Sequence, residues 1–485
     1  MRRLSLVVFV LLGWGCRAPT PAPSPPPPPD PRVAWALLDT LEERTFRFFW
    51  DLADPRTGLV PDRWPTPSFS SIAAVGFGLT AYPIGVERGY VSRADARRRV
   101  LATLDFFLDA PQGPQGTGVA GHRGFFYHFL DMSTGRRFGT VELSTIDTTL
   151  LMAGVLFCQS YFDGALPEEQ AVRVKAEELY RRVDWRWAVA RPPLVSMGWK
   201  PESGFLDPDW RGYNEAMLLY ILALASPTHA AEESAWTEWT RTYTWGTFQG
   251  QAHVAFGPLF GHQYSHVWID FRGIRDAYMR GRGIDYFENS RRATHAQRAY
   301  VVLNPMGWKD YGREVWGLTA CDGPADVRLT LDGRPRTFWT YSARGVSLEG
   351  IRDDGTIAPT AAAASLPFAP EIVMPALLEM RRTYGDRLFS TYGFLDAFNP
   401  SFPGQAVLRH GRMEPGIGWV DTDYLGIDQG PILAMIENHR TGLVWRTLRK
   451  SAHVARGLRR AGFTGGWLED AAPLTADDAR ARPSP

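Results

Sequence analysis

The segment at residues 210–225, WRGYNEAMLLYILALA, constrains the fold more than any other part of the chain. From Ala216 to Ala225 it is apolar on every face of a helix. Such a helix must be buried on all sides, because a surface helix needs one polar face. Asn214 is well suited to cap it by accepting hydrogen bonds from backbone N–H groups. Glu215 is therefore predicted to lie at the entrance of a buried helix, among polarisable side chains.

The same arrangement of an acid beside an apolar run recurs elsewhere in the chain. Asp147 occurs in STIDT before TLLMAGVLF, Asp428 in GIDQGP before ILAMI, and Asp270 at the end of YSHVWID. Helix N-termini favour acids because of the helix dipole, which accounts for part of this pattern. It does not account for the Trp, Tyr and His residues around the acids. We therefore predict that several buried helices bring acids and aromatic residues to one end of the fold.

The N-terminus indicates export. Residues 1–15 combine two arginines with a short apolar run, which is typical of a signal peptide and too short to span a bilayer. The ending GWGC resembles a bacterial lipobox, which predicts lipidation at Cys16 and a membrane anchor facing the periplasm or the cell surface. Gly13 replaces the usual aliphatic residue of that motif, so a soluble periplasmic or secreted protein is the alternative.

Composition divides the mature chain into three parts. Residues 16–32 are dominated by proline and predict a semi-rigid polyproline II linker. Residues 469–485 are polar, end in proline and predict a flexible tail. No second linker interrupts residues 33–468, which are predicted to form a single catalytic domain.

Several classes of function are disfavoured. The chain has 53 basic and 52 acidic residues and no basic stripe, so nucleic acid is not an expected partner. No P-loop, Rossmann glycine fingerprint or GxSxG elbow occurs at a strand–helix junction, so no cofactor is predicted. His262 and His266 have metal-ligand spacing, but no glutamate lies between them as in a zincin. Core packing or hydrogen bonding to substrate is favoured for this pair, and no metal is predicted.

Helical periodicity alternates between amphipathic helices and helices that are apolar all round. An α/α barrel needs this pattern, since its inner helices are buried both by the outer ring and by one another; a packed helical bundle is the competing architecture. Two irregular stretches, 124–144 and 304–364, predict β-hairpins on the rim. The predicted helices are 34–52, 68–85, 92–108, 144–162, 167–183, 214–225, 230–242, 263–279, 289–302, 369–384, 428–438 and 443–460.

Aromatic residues make up 13% of the chain, and some tryptophans lie near glycine, proline or polar residues at predicted loops and helix ends. Aromatic rings suit the apolar C–H faces of sugars, while core packing is the alternative for each of them. Glycoside hydrolysis usually needs two carboxyl groups, one protonated and one ionised. The tryptophans in question are Trp199, Trp210, Trp268, Trp308, Trp316 and Trp419.

A succession of motifs, in order over roughly residues 35–465, resembles the bacterial glycoamylase-like family, which includes the endo-β-1,2-glucanases of glycoside hydrolase family 144. The resemblance implies an (α/α)6 barrel and hydrolysis of β-1,2-glucan to sophoro-oligosaccharides with inversion at the anomeric carbon. A hydrolase of another glucan, such as a glucoamylase-like enzyme, and a non-catalytic glucan-binding lipoprotein are the rival interpretations. The motifs include GFFYHFLD (124–131), ELSTIDTTLL (142–151), GYNEAMLLYILALASPTH (212–229), LFGHQYSHVWIDFR (259–272), YGFLDAFN (392–399) and YLGIDQGPILAMIENHRTGLVW (424–445).

The resemblance also implies roles for individual residues. Glu215 matches the position expected for the general acid. Asp147, Glu142 and Asp428 are further acidic positions of the pocket, and either Asp147 or Asp428 is expected to activate water. The expected sugar-binding residues are Tyr127, His128, Trp210, Tyr213, His262, Gln263, Trp268 and Asn399.

Overall fold

The computed structural model describes residues 31–471, and the predicted signal peptide, the lipidation site Cys16 and most of the linker and tail lie outside the described residues. The described part is mostly helical. A one-turn 3-10 helix at Gly385–Arg387 follows α13. The helices are α1 Pro31–Leu52, α2 Ile72–Glu87, α3 Arg93–Asp109, α4 Thr145–Tyr161, α5 Pro167–Arg182, α6 Trp185–Ala188, α7 Ala216–Ala225, α8 Ser234–Arg241, α9 Phe260–Trp268, α10 Ala277–Arg282, α11 Tyr286–Leu303, α12 Pro359–Ala363, α13 Pro370–Tyr384, α14 Gly426–Arg440, α15 Leu443–Leu448, α16 Ala452–Arg460 and α17 Trp467–Asp470.

The strands are short and form antiparallel sheets of two or three strands. The irregular stretch 304–364 contains a hairpin, as predicted: β12 and β13 pair on either side of Asp332-Gly333. The three-stranded sheets are β6-β7-β8 and β19-β21-β20. The strands are β1 Arg63–Trp64, β2 Ser70–Ser71, β3 Gly121–His122, β4 Phe125–Phe126, β5 Phe129–Leu130, β6 Leu143–Ser144, β7 Gly198–Lys200, β8 Gly204–Phe205, β9 Trp245–Phe248, β10 Gln251–Val254, β11 Ala320–Cys321, β12 Val327–Leu331, β13 Arg334–Phe338, β14 Ser342–Ala343, β15 Gly345–Ser347, β16 Gly350–Arg352, β17 Phe389–Ser390, β18 Gly393–Phe394, β19 Phe398–Asn399, β20 Arg412–Glu414, β21 Gly418–Val420 and β22 Tyr424–Leu425.

The predicted division into buried and amphipathic helices is confirmed. Every residue of α7 is buried, and α2, α4 and α14 are buried along most of their length. α2 contacts α4, α4 contacts α7, α7 contacts α9, α9 contacts α14, and α14 contacts α2 again. α12 packs on α14. The amphipathic helices α1, α3 and α5 pack against this buried set. The core therefore lies among helices that have no solvent-exposed face.

Two glycines allow α2 and α4 to pack at close range. A Cβ atom at Gly76 would lie 2.3 Å from the backbone oxygen of Leu150, and one at Gly154 would lie 2.2 Å from the backbone oxygen of Gly76. Real Cβ contacts are never this short, so both positions require glycine. The close packing brings the first turns of the two helices to the same end of the fold.

Short strands set the start of three buried helices. β2 precedes α2, β6 precedes α4 and β22 precedes α14. Ser71 and Ser144 then act as N-caps, each accepting a hydrogen bond from the backbone N–H three residues later. The first turn of α4, which carries Asp147, is thus held by strand pairing and capping together, and that of α14, which carries Asp428, by strand pairing.

Some predicted boundaries differ from the structure. The predicted helix 263–279 is instead α9 and α10, since the chain turns at Gly273, whose φ is +76°. The segment 443–460 is likewise two helices, with Ser451 capping the second. α1 begins at Pro31, inside the predicted linker, because proline fits the first turn of a helix. α17 includes Glu469 and Asp470 of the predicted tail.

The two cysteines of the described region are free and buried. The thiol of Cys158 donates to the backbone oxygen of Leu79 at 3.1 Å, and the residue packs in the core as a small apolar side chain. Between residues 31 and 471, no helix combines the length and apolarity that crossing a membrane requires.

Candidate active site

Glu215 lies at the N-terminus of α7, where the fold holds its backbone from two sides. The side chain of Asn214 accepts a hydrogen bond from Ala216 N at 3.0 Å, which confirms the predicted cap. From α9, the Ser265 hydroxyl donates to the backbone oxygen of Glu215 at 3.2 Å. The first turn of α7 is therefore fixed relative to α9, and the Glu215 carboxyl projects from an ordered position.

The carboxyl of Glu215 is held in a state that favours its protonated form. Its Oε2 atom is buried and has no hydrogen-bond partner among the described residues. Burial, with a further contribution from the negative charge of Asp147, raises the pKa of Glu215 to about 7. Glu215 can therefore hold a proton near neutral pH, which an ordinary glutamate does not.

Glu142, His128 and Asp147 form a connected ion network beside Glu215. Nδ1 of His128 lies 2.8 Å from Oε1 of Glu142, and Nε2 of His128 lies 3.5 Å from Oδ1 of Asp147. Burial alone would lower the pKa of His128, but the charges of Asp147 and Glu142 outweigh it and raise the pKa to about 9. The hydrogen bond from His128 in turn lowers the pKa of Glu142 to about 2. At neutral pH His128 is thus a cation and Glu142 a carboxylate.

Asp428 occupies the first turn of α14, on another wall of the site. β22 pairs with β1, matching Arg63 with Leu425, and Gly426 N donates to the backbone oxygen of Asp62 at 2.8 Å. This pairing brings Asp62 and Arg63 next to the start of α14. Burial and the nearby charge of Asp396 raise the pKa of Asp428 well above the ordinary range.

Tyr264 on α9 links the two walls. Its hydroxyl donates to the backbone oxygen of Ile427 at 3.2 Å. Burial raises the pKa of Tyr264 well above its usual value, and the charges of Asp428, Glu215 and Asp147 raise it further. The carboxyl groups of Asp147, Glu215 and Asp428, at the starts of α4, α7 and α14, therefore all act on the phenol of Tyr264. The structure brings together the four predicted acids, since Glu142 joins this group through His128.

Four of the predicted sugar-binding residues form hydrogen bonds that hold separate elements of the fold together. Trp268 is 1% exposed and donates from Nε1 to the Thr80 hydroxyl at 3.0 Å. The amide of Gln263 donates to the backbone oxygen of Ala361 at 2.8 Å, tying α9 to α12. Each of these side chains lies in the protein interior and holds neighbouring elements together, and its contact with a sugar stays a prediction.

Asn399 and His262 complete this structural set. Asn399 is fully buried and donates to the backbone oxygen of Asp354 at 2.9 Å. The ring of His262 lies 3.2 Å from the backbone oxygen of Phe256, and burial lowers the pKa of His262 to about 3. His266 is equally buried against Ser290, with a pKa also lowered to about 3. The two histidines are neutral core residues, which is the reading that the sequence favoured over metal binding.

Tyr127, Trp210 and Tyr213 are buried. Trp210 donates from Nε1 to the hydroxyl of Thr145, the first residue of α4, at 3.0 Å. The hydroxyls of Tyr127 and Tyr213 are buried and have no hydrogen-bond partner among the described residues. Of the six tryptophans singled out in the sequence, Trp199 is half-buried and the other five are buried.

A group of acids whose meeting the sequence did not predict lies behind Asp428. Asp322, Asp396, Asp421 and Asp423, which we call the aspartate cluster, are all buried. Arg63 contacts the cluster, with its Nη1 atom 2.5 Å from Oδ2 of Asp322. Arg63, in β1, and Asp322, just after β11, are 259 positions apart in sequence, so no periodicity or spacing could have paired them.

The chain is similar to known proteins over most of its described length. The Glycoamylase family model, described as "Putative glucoamylase", matches residues 207–452. The exo β-1,2-glucooligosaccharide sophorohydrolase (non-reducing end) of Parabacteroides distasonis is 29% identical over 464 residues, covering 89% of this chain and 58% of that protein. The chain thus spans just over half the length of this curated relative.

Two solved structures extend the comparison. A protein of Bacteroides caccae described as a "putative glucoamylase" shares 31% identity, covers 89% of this chain and 100% of its own, and superposes with a TM-score of 0.76. The endo-β-1,2-glucanase of Chitinophaga pinensis, in a complex with sophorotriose and glucose, shares 28% identity over 90% of this chain and 99% of its own, with a TM-score of 0.76. The family match over residues 207–452 includes α7 and α14, with Glu215 and Asp428 at their starts.

Proposed function

This chain belongs to the Glycoamylase family, and from that premise we propose that it is a glycoside hydrolase that cleaves β-1,2-glucan to sophoro-oligosaccharides with inversion. Two of its relatives are named for activity on β-1,2-linked glucose, one as an endo-glucanase and one as a sophorohydrolase. The observation that carries the chemistry is Glu215, a buried carboxyl whose pKa is raised to about 7.

Glu215 is the general acid of this proposal. Cleavage of a glycosidic bond leaves negative charge on the departing oxygen, and a carboxylic acid removes that charge by donating its proton. A proton donor must keep its proton at the working pH, which burial and the charge of Asp147 achieve for Glu215. The unpartnered Oε2 atom leaves the group available to a substrate oxygen.

Asp428 is the proposed general base; because its pKa is raised, it can accept a proton only in the fraction of molecules in which it is ionised. An inverting hydrolase holds its two carboxyl groups about 6.5–9.5 Å apart, so that a water molecule fits on the face of the sugar opposite the acid. Asp147 lies at the start of α4, which packs directly on α7, and its charge already serves to keep Glu215 protonated. Asp428 lies on α14, and α9, which carries Tyr264, contacts both α14 and α7 and so connects the helices of the two carboxyl groups.

His128 and Glu142 are proposed to bind substrate hydroxyls. The two side chains are partly exposed, with 30% and 27% of their side-chain surfaces accessible, unlike Asp147 at 5%. A cation and a carboxylate side by side offer both a donor and an acceptor to a sugar. β7 pairs with β6 and aligns Trp199 with Leu143, and the half-buried Trp199 indole, which packs on the ring of His122, is the proposed platform for a sugar ring.

The proposed architecture is an (α/α)6 barrel. The buried helices α2, α4, α7, α9, α12 and α14 would form its inner ring, and the contacts that lead from α2 back to α2 support this arrangement. The short strands at the N-termini of α2, α4 and α14 would then line the mouth of the barrel, where Asp147 and Asp428 lie.

A product assay tests the function. The purified protein is incubated with linear β-1,2-glucan and, in parallel, with starch and β-1,3-glucan. Sophoro-oligosaccharides from the first substrate alone, released as the α-anomer in proton NMR, are the expected result. Hydrolysis of starch instead would show a glucoamylase-like enzyme, and binding of β-1,2-glucan without product would show a binding protein.

The pH dependence follows from the raised pKa of Glu215. The general acid loses its proton as the pH rises, so kcat/KM should fall on the alkaline side with an apparent pKa of about 7. Asp147→Asn removes a negative charge that raises this pKa, so the alkaline limb should move to lower pH. The measurement is kcat/KM against pH for both proteins, with Asp131→Asn, in a turn near Ser133, as the control. An alkaline limb that stays in place in Asp147→Asn would contradict the role given to Asp147.

We further propose that the protein is exported and anchored to the membrane by a lipid on Cys16. The leader at residues 1–15 and the proline-rich segment that follows it support this proposal. Cys16→Ser is expected to move the protein from the membrane fraction to the soluble fraction of the producing cell. Equal amounts of the wild type and this variant in the soluble fraction would overturn the proposal.

A further inference from the structure

The aspartate cluster forms a convergent set of oxygen atoms. One oxygen each of Asp322, Asp396 and Asp421 lies within 4.8 Å of the other two. Asp322 also belongs to a second such group, with Asp423 and a ring nitrogen of His410. Two ligands bound to one Ca²⁺ ion at about 2.3–2.6 Å can be at most about 5 Å apart, so this spacing is compatible with a shared ion.

The carboxylates of the cluster each use one oxygen to hold their position. Oδ2 of Asp396 accepts from Asp322 N at 2.8 Å, and Oδ1 of Asp421 accepts from Thr422 N at 2.7 Å. Oδ1 of Asp423 accepts from the backbone N–H of Thr66 at 3.0 Å. These contacts come from three separate segments of the chain, so the side chains cannot easily turn away from one another.

The second oxygen of each carboxylate is buried and unsatisfied. Oδ1 of Asp322, Oδ1 of Asp396 and Oδ2 of Asp421 have no hydrogen-bond partner among residues 31–471. Oδ2 of Asp423 also lacks one, and its contact is an ion pair with Arg63 at 3.7 Å. The four residues are at most 2% exposed. Buried polar atoms are normally satisfied, so four in one place indicate a missing partner.

The negative charge of the aspartate cluster also indicates a missing partner. Four carboxylates lie together with Asp428 close by, and the ion pairs with Arg63 reach Asp322 and Asp423. Buried charges normally require an opposite charge at close range, because the interior solvates them poorly. The guanidinium of Arg63 carries one positive charge, so it balances the charge of only one of these carboxylates.

We propose that the aspartate cluster binds a Ca²⁺ ion through carboxylate oxygens of Asp322, Asp396 and Asp421, with Asp423 beside this site. Carboxylate oxygens suit hard cations, and Ca²⁺ accepts several protein oxygens in an irregular arrangement, whereas Mg²⁺ retains several waters. The ion ties the loop that carries Asp322 to β21 and to the segment before α14. It thereby stabilises the wall on which Asp428 lies. This proposal does not depend on the glycosidase activity.

Calorimetry and thermal unfolding test the proposal on the purified protein after treatment with EDTA. Titration with CaCl₂ is expected to show one bound ion per chain, and Ca²⁺ in large excess to raise the unfolding midpoint by about 2–5 °C. MgCl₂ and ZnCl₂ are titrated in parallel. No heat and no shift with CaCl₂, or an effect of ZnCl₂ alone, would overturn the proposal.

Asp421→Asn provides the matched variant, since the amide keeps the shape of the side chain and removes a charge. Without Ca²⁺ it should unfold at a higher temperature than the wild type, because repulsion within the cluster falls, and it should lose the response to Ca²⁺. Asp131→Asn, outside the cluster, should keep that response. If Asp421→Asn does not fold, the calorimetry on the wild type still decides the question. A full Ca²⁺ response in folded Asp421→Asn would exclude Asp421 as a ligand.

Discussion

Glu215→Gln is expected to lower kcat on β-1,2-glucan by about 10²–10⁴-fold while leaving the fold intact. The amide has the same shape as the acid, and the backbone of Glu215 is held by Ser265 rather than by its own side chain. What the variant loses is the proton that the leaving oxygen needs. The measurement is the rate of release of reducing ends, together with the thermal unfolding midpoint. Residual activity above a tenth of the wild-type value would contradict the assignment.

A substrate with a good leaving group makes this test specific to acid catalysis. A nitrophenyl sophoroside releases a nitrophenolate that needs no proton, so Glu215→Gln should lose much less activity on it than on the glucan. Equal losses on both substrates would indicate a role in binding or positioning instead. Glu178→Gln, which changes an exposed partner of Arg182 on α5, is the matched control and should retain full activity on both substrates.

Asp428→Asn is expected to reduce kcat by a similar factor of about 10²–10⁴, because it removes the group that activates water. Unlike Asp147→Asn, it should leave the alkaline limb of the pH profile near pH 7, since Glu215 keeps its environment. Sodium azide, a nucleophile that needs no base, should restore cleavage and give the α-glucosyl azide. The measurement is product analysis by NMR with and without azide.

The comparison of Asp147→Asn with Asp428→Asn decides which of the two aspartates is the general base. If Asp147→Asn responds to azide and Asp428→Asn does not, Asp147 is the base and the proposal is wrong on this point. Unfolding midpoints accompany both variants, because Asp428 adjoins the aspartate cluster through Asp396 and its replacement also changes the charge there.

Local sequence pattern predicted the elements that bear the acids. The apolar run of α7, the Asn214 cap and the Ser144 cap of α4 are each encoded within a few residues, and all three are confirmed. Periodicity was less informative where a helix is interrupted. The helix predicted across 263–279 ends at Trp268, because the turn at Gly273 depends on contacts with distant segments.

The sequence pattern could not predict the hydrogen-bond partners of the side chains. Trp268 and Gln263 belong to a motif of the resemblance, yet their polar atoms bond Thr80 and Ala361, far away in the chain. Whether a buried helix directs such a side chain toward a neighbouring helix or toward a pocket depends on what packs against it. A list of residues in a motif does not contain that information.

The sequence by itself determined that buried helices begin with acids, because apolar periodicity and capping act over one or two turns. The tertiary structure decided which acids lie close together and which of them are protonated or ionised. Asp147 raises the pKa of Glu215, His128 keeps Glu142 ionised, and Arg63 meets Asp322 from 259 positions away. The reason is physical: hydrogen bonding within a helix depends on sequence neighbours, whereas burial and Coulomb interaction depend on distance in space.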